Sequence, residues 1–152
     1  MKISEILSKD SIVADLVSTD KVGVIKELSK AVAKTTQADA DQIARVLTER
    51  ESLGSTGIGG GIAIPHGKLN AVDKVALGFG RSANGVEYNS LDNRPVHVFF
   101  LLLTPENSTG GHLKALAQIS KLLKQDHFKD ALRAAETVDD LYSIILEQDE
   151  EF

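Results

Sequence analysis

The sequence predicts a single α/β or α+β layered domain built on a central mixed sheet, and three observations carry that expectation. Helical apolar periods lead the chain, strand patterns fill its middle, and helical periods close it. At 152 residues with 42% hydrophobic content, the chain is long enough for one ordinary core and too short for two. Val96 to Leu103 is the most apolar run, rich in β-branched and aromatic residues and eight long, as expected of a central strand buried on both faces.

The elements follow in order. Ile3, Ile6 and Leu7 have helical spacing and predict a short opening turn, and Ile12, Val13 and Leu16 predict a brief extended piece. Val22, Ile25, Leu28 and Val32 predict a first full helix ending near Thr35-Thr36. Asp39 with Gln42 three residues on is a capping pattern for a second helix, whose stripe is Ile43, Val46 and Leu47. Arg50 is the next position on that stripe, so its guanidinium is available to face the glycine-rich stretch that follows. Snorkelling to the surface, or answering the helix C-terminal dipole, is the alternative use of that cation. From Val75 to Gly80 large and small residues alternate, predicting a strand whose small face admits close packing. Val86-Glu87-Tyr88 predicts a short strand, and Asp92-Asn93-Arg94-Pro95 a turn before the apolar strand. A loop from Asn107 to Gly111 leads to His112, which begins a helical stripe with Leu116, Ile119 and Leu123, with Leu113 and Leu122 beside it. Phe128, Ala131, Leu132 and Ala135 predict another helix, and Thr137 with Asp140 caps a last one through Val138, Leu141, Ile144 and Ile145. The acidic tail from Glu147 to Phe152 is expected to fray.

Composition removes several function classes. The net charge of −5 argues against nucleic acid as the main ligand, because phosphate backbones select clustered Lys and Arg. Cysteine is absent, so disulfides, thiolate metal sites and cysteine nucleophiles are excluded. No apolar run approaches the roughly 18 residues of a membrane span, and Met1-Lys2-Ile3-Ser4-Glu5 turns polar too early for a signal peptide. A cytoplasmic protein with no membrane insertion is the expectation.

The chemistry concentrates in Gly54 to Leu69, where five of the twelve glycines fall between Gly54 and Gly61 and lead to Pro65-His66. Both nucleotide motifs fail there. A P-loop needs four residues between its first glycine and Gly-Lys, whereas Gly61 and Gly67 are separated by five, and Leu69 stands where a hydroxyl is required. The dinucleotide fingerprint needs a glycine where Ile62 or Ile64 stands. Of the four histidines, none is paired at the i, i+4 spacing of a helical zinc site, and a metal would need His66, His112 and a carboxylate to converge. His97 and His127 read as structural or solvated. Neutral imidazole near pH 7 offers a lone pair, so His66 suits attack on phosphorus provided that the charge of the transferring oxygens is answered. Arg50, Ser55, Thr56, the backbone N–H groups of Gly57 and Gly59, and the helix opening at His112 are candidates for that task. A structural histidine following a strand is the competing reading.

The run Thr48-Glu49-Arg50-Glu51 followed by Gly54-Ser55-Thr56-Gly57-Ile58-Gly59 and Gly61-Ile62-Ala63-Ile64-Pro65-His66-Gly67-Lys68 resembles the active-site signature of the enzyme IIA domain of the bacterial phosphotransferase system, mannitol/fructose and nitrogen-regulatory class. Leu101 to Glu106 with His112-Leu113 and Leu116-Ala117 is similar to that family's second active-site segment. The resemblance implies one enzyme IIA type-2 domain over residues 1–152, an α/β fold with a five-stranded mixed sheet flanked by helices, and no cofactor. It also implies that His66 takes a phosphoryl group from the phosphocarrier HPr or its nitrogen-branch counterpart, that His112 holds a phosphoryl oxygen, and that Arg50 stabilises charge. Gly60 stands where members commonly carry other residues. The absence of an attached IIB or IIC segment, and the wording Ile62 to Leu69, look most like the nitrogen-regulatory branch, which implies phosphorylation-dependent control of partners such as ion transporters or sensor kinases. The alternative is a fructose- or mannitol-type component that passes its phosphoryl group to a separate IIB protein.

Overall fold

The computed structural model describes residues 2–148. Its elements are α1 (Ile3–Ile6), β1 (Leu7–Val13), α2 (Lys21–Thr36), α3 (Ala40–Glu51), β2 (Gly57–Gly59), β3 (Ile62–Ala63), β4 (His66–Lys68), β5 (Ala76–Val86), β6 (Val96–Thr104), α4 (Thr109–Leu123), α5 (Asp126–Ala134) and α6 (Val138–Leu146). The sheet runs β1-β5-β6-β3-β2, with β4 pairing β6 beyond β3. The β5/β6 and β2/β3 pairs are antiparallel; β1 with β5, and β3 and β4 with β6, are parallel. A mixed α/β sheet is therefore present, and its five-strand path gains a sixth short strand because the segment that runs along β6 is interrupted between β3 and β4. Pro65 has no N–H to give, but its carbonyl accepts from Leu102 N at 2.9 Å, so the chain crosses the break without leaving β6.

β6 is buried along nearly its whole length and divides two apolar layers. Val98, Phe100 and Leu102 face α4, α5 and α6, while Phe99, Leu101 and Leu103 face α2 and α3. Period-2 alternation in a strand covered on both sides requires apolar residues at every position, which is why the run is continuous. Phe79 meets Phe100 edge to face at 5.0 Å in the first layer, and Tyr88 meets Phe99 at 5.4 Å in the second.

The small face of β5 receives α2: a Cβ on Gly78 would stand 2.4 Å from Val32 Cγ2, and one on Gly80 2.6 Å from Leu28 Cδ2. Ile25, Leu28 and Val32 of the expected stripe are buried, and only its first member differs. Val22 is 63% exposed and Val24 takes the buried position, and Asp20 caps the helix by accepting from Gly23 N at 2.8 Å. Other boundaries move as well. Leu7 belongs to β1; Val86 ends β5, leaving Glu87 only an isolated bridge to Asp20. α4 opens at Thr109 inside the expected loop, and its buried face is His112, Ala115, Ile119 and Leu123, with Leu113 exposed. Asp39 and Thr137 cap as their spacing predicts, accepting from Gln42 N and Asp140 N. The expected fraying of the tail lies mostly outside the described residues.

Candidate active site

The glycine segment is a hairpin with a specific job. Gly59, Gly60 and Gly61 take positive φ of 97°, 67° and 80°, a succession that L side chains resist, and this turns β2 back into β3. The chain then runs along β6 to His66, whose Cα partner is Leu102. His66 thereby shares the α4 side of the sheet with Thr104, two residues farther along β6. Gly67, between His66 and Lys68, presses toward α3: a Cβ there would lie 2.6 Å from Val46 Cγ1.

Three elements bring charge and nitrogen together at an open cleft of about 460 Å³, lined by Glu49, Arg50, His66, Lys68, His112 and apolar Val46, Leu53, Leu113 and Leu116. From the end of α3, Arg50 Nε donates to His66 Nε2 at 3.3 Å and its Nη1 to the Gly54 carbonyl at 2.9 Å. His66 Nδ1 lies 2.7 Å from the Ile64 carbonyl oxygen. A carbonyl only accepts and a guanidinium only donates, so the proton of the neutral ring sits on Nδ1 and the lone pair on Nε2. Burial holds the His66 pKa below its ordinary 6.5; the Ile64 carbonyl and Glu51 pull it upward, and Arg50 adds to the lowering. The ring is therefore neutral at pH 7, with its nucleophilic nitrogen beside a cation.

His112 projects from the first turn of α4, its ring centroid 5.3 Å from that of His66 and tilted by 57°. Its Nδ1 is bonded to Thr104 Oγ1 at 2.7 Å, which leaves Nε2 as its other hydrogen-bonding atom. Burial, and then the charges of His66 and Lys68, push its pKa down to about 4. Lys68 Nζ donates to Thr109 Oγ1 at 2.9 Å, tying β4 to the start of α4. Leu53 and Leu113, 83% and 62% exposed, form an apolar rim suited to contact with another macromolecule.

Arg50, His66 and His112 thus converge, whereas the expected phosphate loop lies elsewhere. Thr56 is buried, its N–H given to the Glu51 carboxylate; Gly57 N donates to Ser55 Oγ; Ser55 Oγ reaches the Tyr88 carbonyl; Gly59 lies in the hairpin turn near Asp92. None of the four lines the cleft. The N–H groups of Thr56 and Gly57 are taken up by acceptors within the protein, while Arg50, His66, Lys68 and His112 stand at the cleft. His97 is engaged with the Ser82 carbonyl and His127 is exposed on α5, both away from the cleft. Sequence reasoning missed Glu51, Tyr88 and Lys21, which form a buried polar cluster behind Arg50. The signal was available: Glu51 is four residues after Leu47 and eight after Ile43, so it too falls on the buried stripe of α3. Among the described residues no cluster of metal-ligating side chains occurs, and no helix is long and apolar enough to cross a membrane.

The chain is similar to known proteins in sequence and in fold. Residues 5–148 match the family described as phosphoenolpyruvate-dependent sugar phosphotransferase system, EIIA 2. A nitrogen regulatory protein of Bradyrhizobium diazoefficiens is 36% identical over 145 residues, covering 95% of each chain. The fructose-specific EIIABC component of Bacillus subtilis is 39% identical over 150 residues, 98% of this chain, which spans only 24% of that relative's length. The crystal structure of the nitrogen regulatory protein IIA-Ntr from Neisseria meningitidis superposes with a TM-score of 0.88 at 31% identity, covering 94% of this chain and 98% of that one. The chain belongs to the type-2 EIIA family of the phosphoenolpyruvate-dependent sugar phosphotransferase system.

Proposed function

We propose that the chain accepts a phosphoryl group on His66 Nε2 from the phosphohistidine of an HPr-type phosphocarrier and acts chiefly as a phosphorylation-dependent regulator of partner proteins. The observation that carries the reading is the pair of contacts that fix His66: Ile64 holds Nδ1–H, and Arg50 meets the lone pair at Nε2. The step balances without a base. The Nε2 lone pair forms the new P–N bond as the donor's P–N bond breaks, and the donor imidazole leaves with the bonding pair. His66 keeps its Nδ1 proton, and the positive charge arising on its ring faces the Ile64 carbonyl. Arg50 answers the phosphoryl oxygens, and His112 offers them its Nε2 when Thr104 donates to Nδ1.

The regulatory reading is supported by similarity along nearly the full length of nitrogen regulatory relatives and by the IIA-Ntr superposition. Phosphorylation adds about −1.5 to −2 charges. Placed between Arg50, Lys68 and the apolar rim, that charge changes which surfaces can dock, and ion transporters or sensor kinases are the candidate partners. The 39% identity to a fructose-specific component favours a second reading, in which His66 hands its phosphoryl group to a IIB protein for sugar uptake. Incubation with phosphoenolpyruvate, enzyme I and HPr is expected to add one acid-labile phosphoryl group by intact mass, and none to His66→Ala; labelling that survives in His66→Ala refutes the assignment. Pull-downs comparing wild type, His66→Ala and His66→Asp then separate a regulatory partner from a IIB acceptor.

A further inference from the structure

α3 ends in two neighbouring charged residues that diverge. Arg50 reaches the cleft, and Glu51, 9% exposed, turns into the protein. The Glu51 carboxylate accepts from Lys21 Nζ at 2.8 Å, Tyr88 OH at 2.9 Å, Thr56 N at 3.1 and 3.2 Å, and the Thr56 hydroxyl. The Lys21 ammonium also stands 4.7 Å from the Tyr88 ring centroid. A carboxylate with four separate donor groups is poorly replaced by any neutral side chain, and such buried pairs supply geometry more dependably than stability.

The geometry it supplies leads to the nucleophile. Thr56, held by Glu51 through its N–H, accepts from Ile64 N through its carbonyl at 3.1 Å. Ile64 in turn presents its own carbonyl to His66 Nδ1 at 2.7 Å, and the next residue, Pro65, is pinned to Leu102 N. We infer that Glu51 is a positioning residue for His66: by anchoring Thr56 it places the Ile64 carbonyl, which keeps the imidazole proton on Nδ1 and the lone pair on Nε2 in the cleft. The inference rests on Nε2 being the phosphoryl-accepting atom. Which ring nitrogen is protonated is set by the hydrogen bond the other makes, so a displaced Ile64 carbonyl releases the tautomer. Glu51→Gln tests this with little change of shape. A carboxamide has one accepting oxygen, so its NH₂ must face Lys21, Tyr88 or Thr56, and at least one tether is lost.

The experiment records long-range ¹H–¹⁵N correlations of the His66 ring in unphosphorylated full-length protein at mildly alkaline pH, where the ring is neutral. Wild type is expected to show Nδ1 protonated and Nε2 bare. Glu51→Gln is expected to raise the Nε2-protonated form to a comparable population and to slow phosphoryl acceptance about tenfold to a hundredfold. Tyr88→Phe, which withdraws one donor and leaves the carboxylate, is expected to shift the tautomer partway and serves if Glu51→Gln does not fold. Phe79→Leu, a core change in the opposite layer, controls for general loosening and should leave the tautomer unmoved. An unchanged tautomer in Glu51→Gln, or in Tyr88→Phe where only that variant folds, overturns the inference, as does an equal shift in Phe79→Leu. A shifted tautomer in protein that accepts no phosphoryl group from HPr upholds the positioning role and refutes the phosphoryl reading instead.

Discussion

His112 ties acid stability to the site. Its pKa in the folded protein is pushed down to about 4, by burial first and then by His66 and Lys68, against an ordinary 6.5. Because the folded value lies below the unfolded one, the contribution is complete above about pH 6.5 and is lost as pH falls toward 4. Over that window the unfolded chain takes up a proton that the folded chain refuses, so stability drops at up to about 1.4 kcal/mol per pH unit. The whole shift corresponds to about 3 kcal/mol, and to nearer 2 in salt, since the His66 and Lys68 share is screened. Urea unfolding of wild type and His112→Gln from about pH 7.5 to about pH 4.5 isolates this term, because the remaining carboxylates and His66 are common to both. The advantage of wild type over His112→Gln is expected to shrink by about 1.5 to 2.5 kcal/mol on acidification. Parallel stability curves for the two proteins refute a buried, proton-excluding His112.

Three further outcomes follow from the same geometry. Arg50→Lys keeps the charge but loses the joint reach to His66 Nε2 and the Gly54 carbonyl, so phosphoryl acceptance should slow about 10²-fold in stopped-time labelling while far-UV circular dichroism is unchanged. Gly78→Ala forces a methyl against Val32 and should cost about 1–3 kcal/mol in chemical unfolding, whereas Gly110→Ala in α4, with open space around it, should gain about 0.5–1 kcal/mol. The acceptance rate should hold through neutral pH and fall only below pH 6.5, following the lowered pKa of His66, since protonation of Nε2 removes the attacking pair; a fall beginning above pH 7 contradicts a neutral ring.

The elements most legible in the sequence are those whose residues answer to one physical demand. β6 is a continuous apolar run because both of its faces are covered, and Gly78 and Gly80 mark where α2 lies close. Capping residues Asp39 and Thr137 were legible for the same reason, each satisfying an N–H that the helix cannot. α2 starts within one residue of where the sequence puts it, and its stripe differs only at the first member, since Val22 and Val24 both fit a helical period and Val24 is the one buried. The glycine hairpin was hidden by composition: strands of two and three residues leave no period, and their pairing is set by positive φ at Gly59 to Gly61.

At the site, the spacing that placed Arg50 and His112 on inward faces located two of the three converging groups, because a helix carries a side chain's direction in its numbering. Ser55, Thr56, Gly57 and Gly59 lie outside the cleft for a different reason. Glycine-rich loops do present N–H groups, but a donor is available to a ligand only if no acceptor has claimed it. Here Glu51 and Ser55 Oγ claim those of Thr56 and Gly57. One buried carboxylate, on the same helical stripe that pointed to Arg50, therefore takes up a donor that the sequence alone offers to a ligand, and on the proposed reading of His66 it makes the stretch a scaffold for the nucleophile. On that reading the phosphoryl charge falls to Arg50 and His112, which line the open cleft.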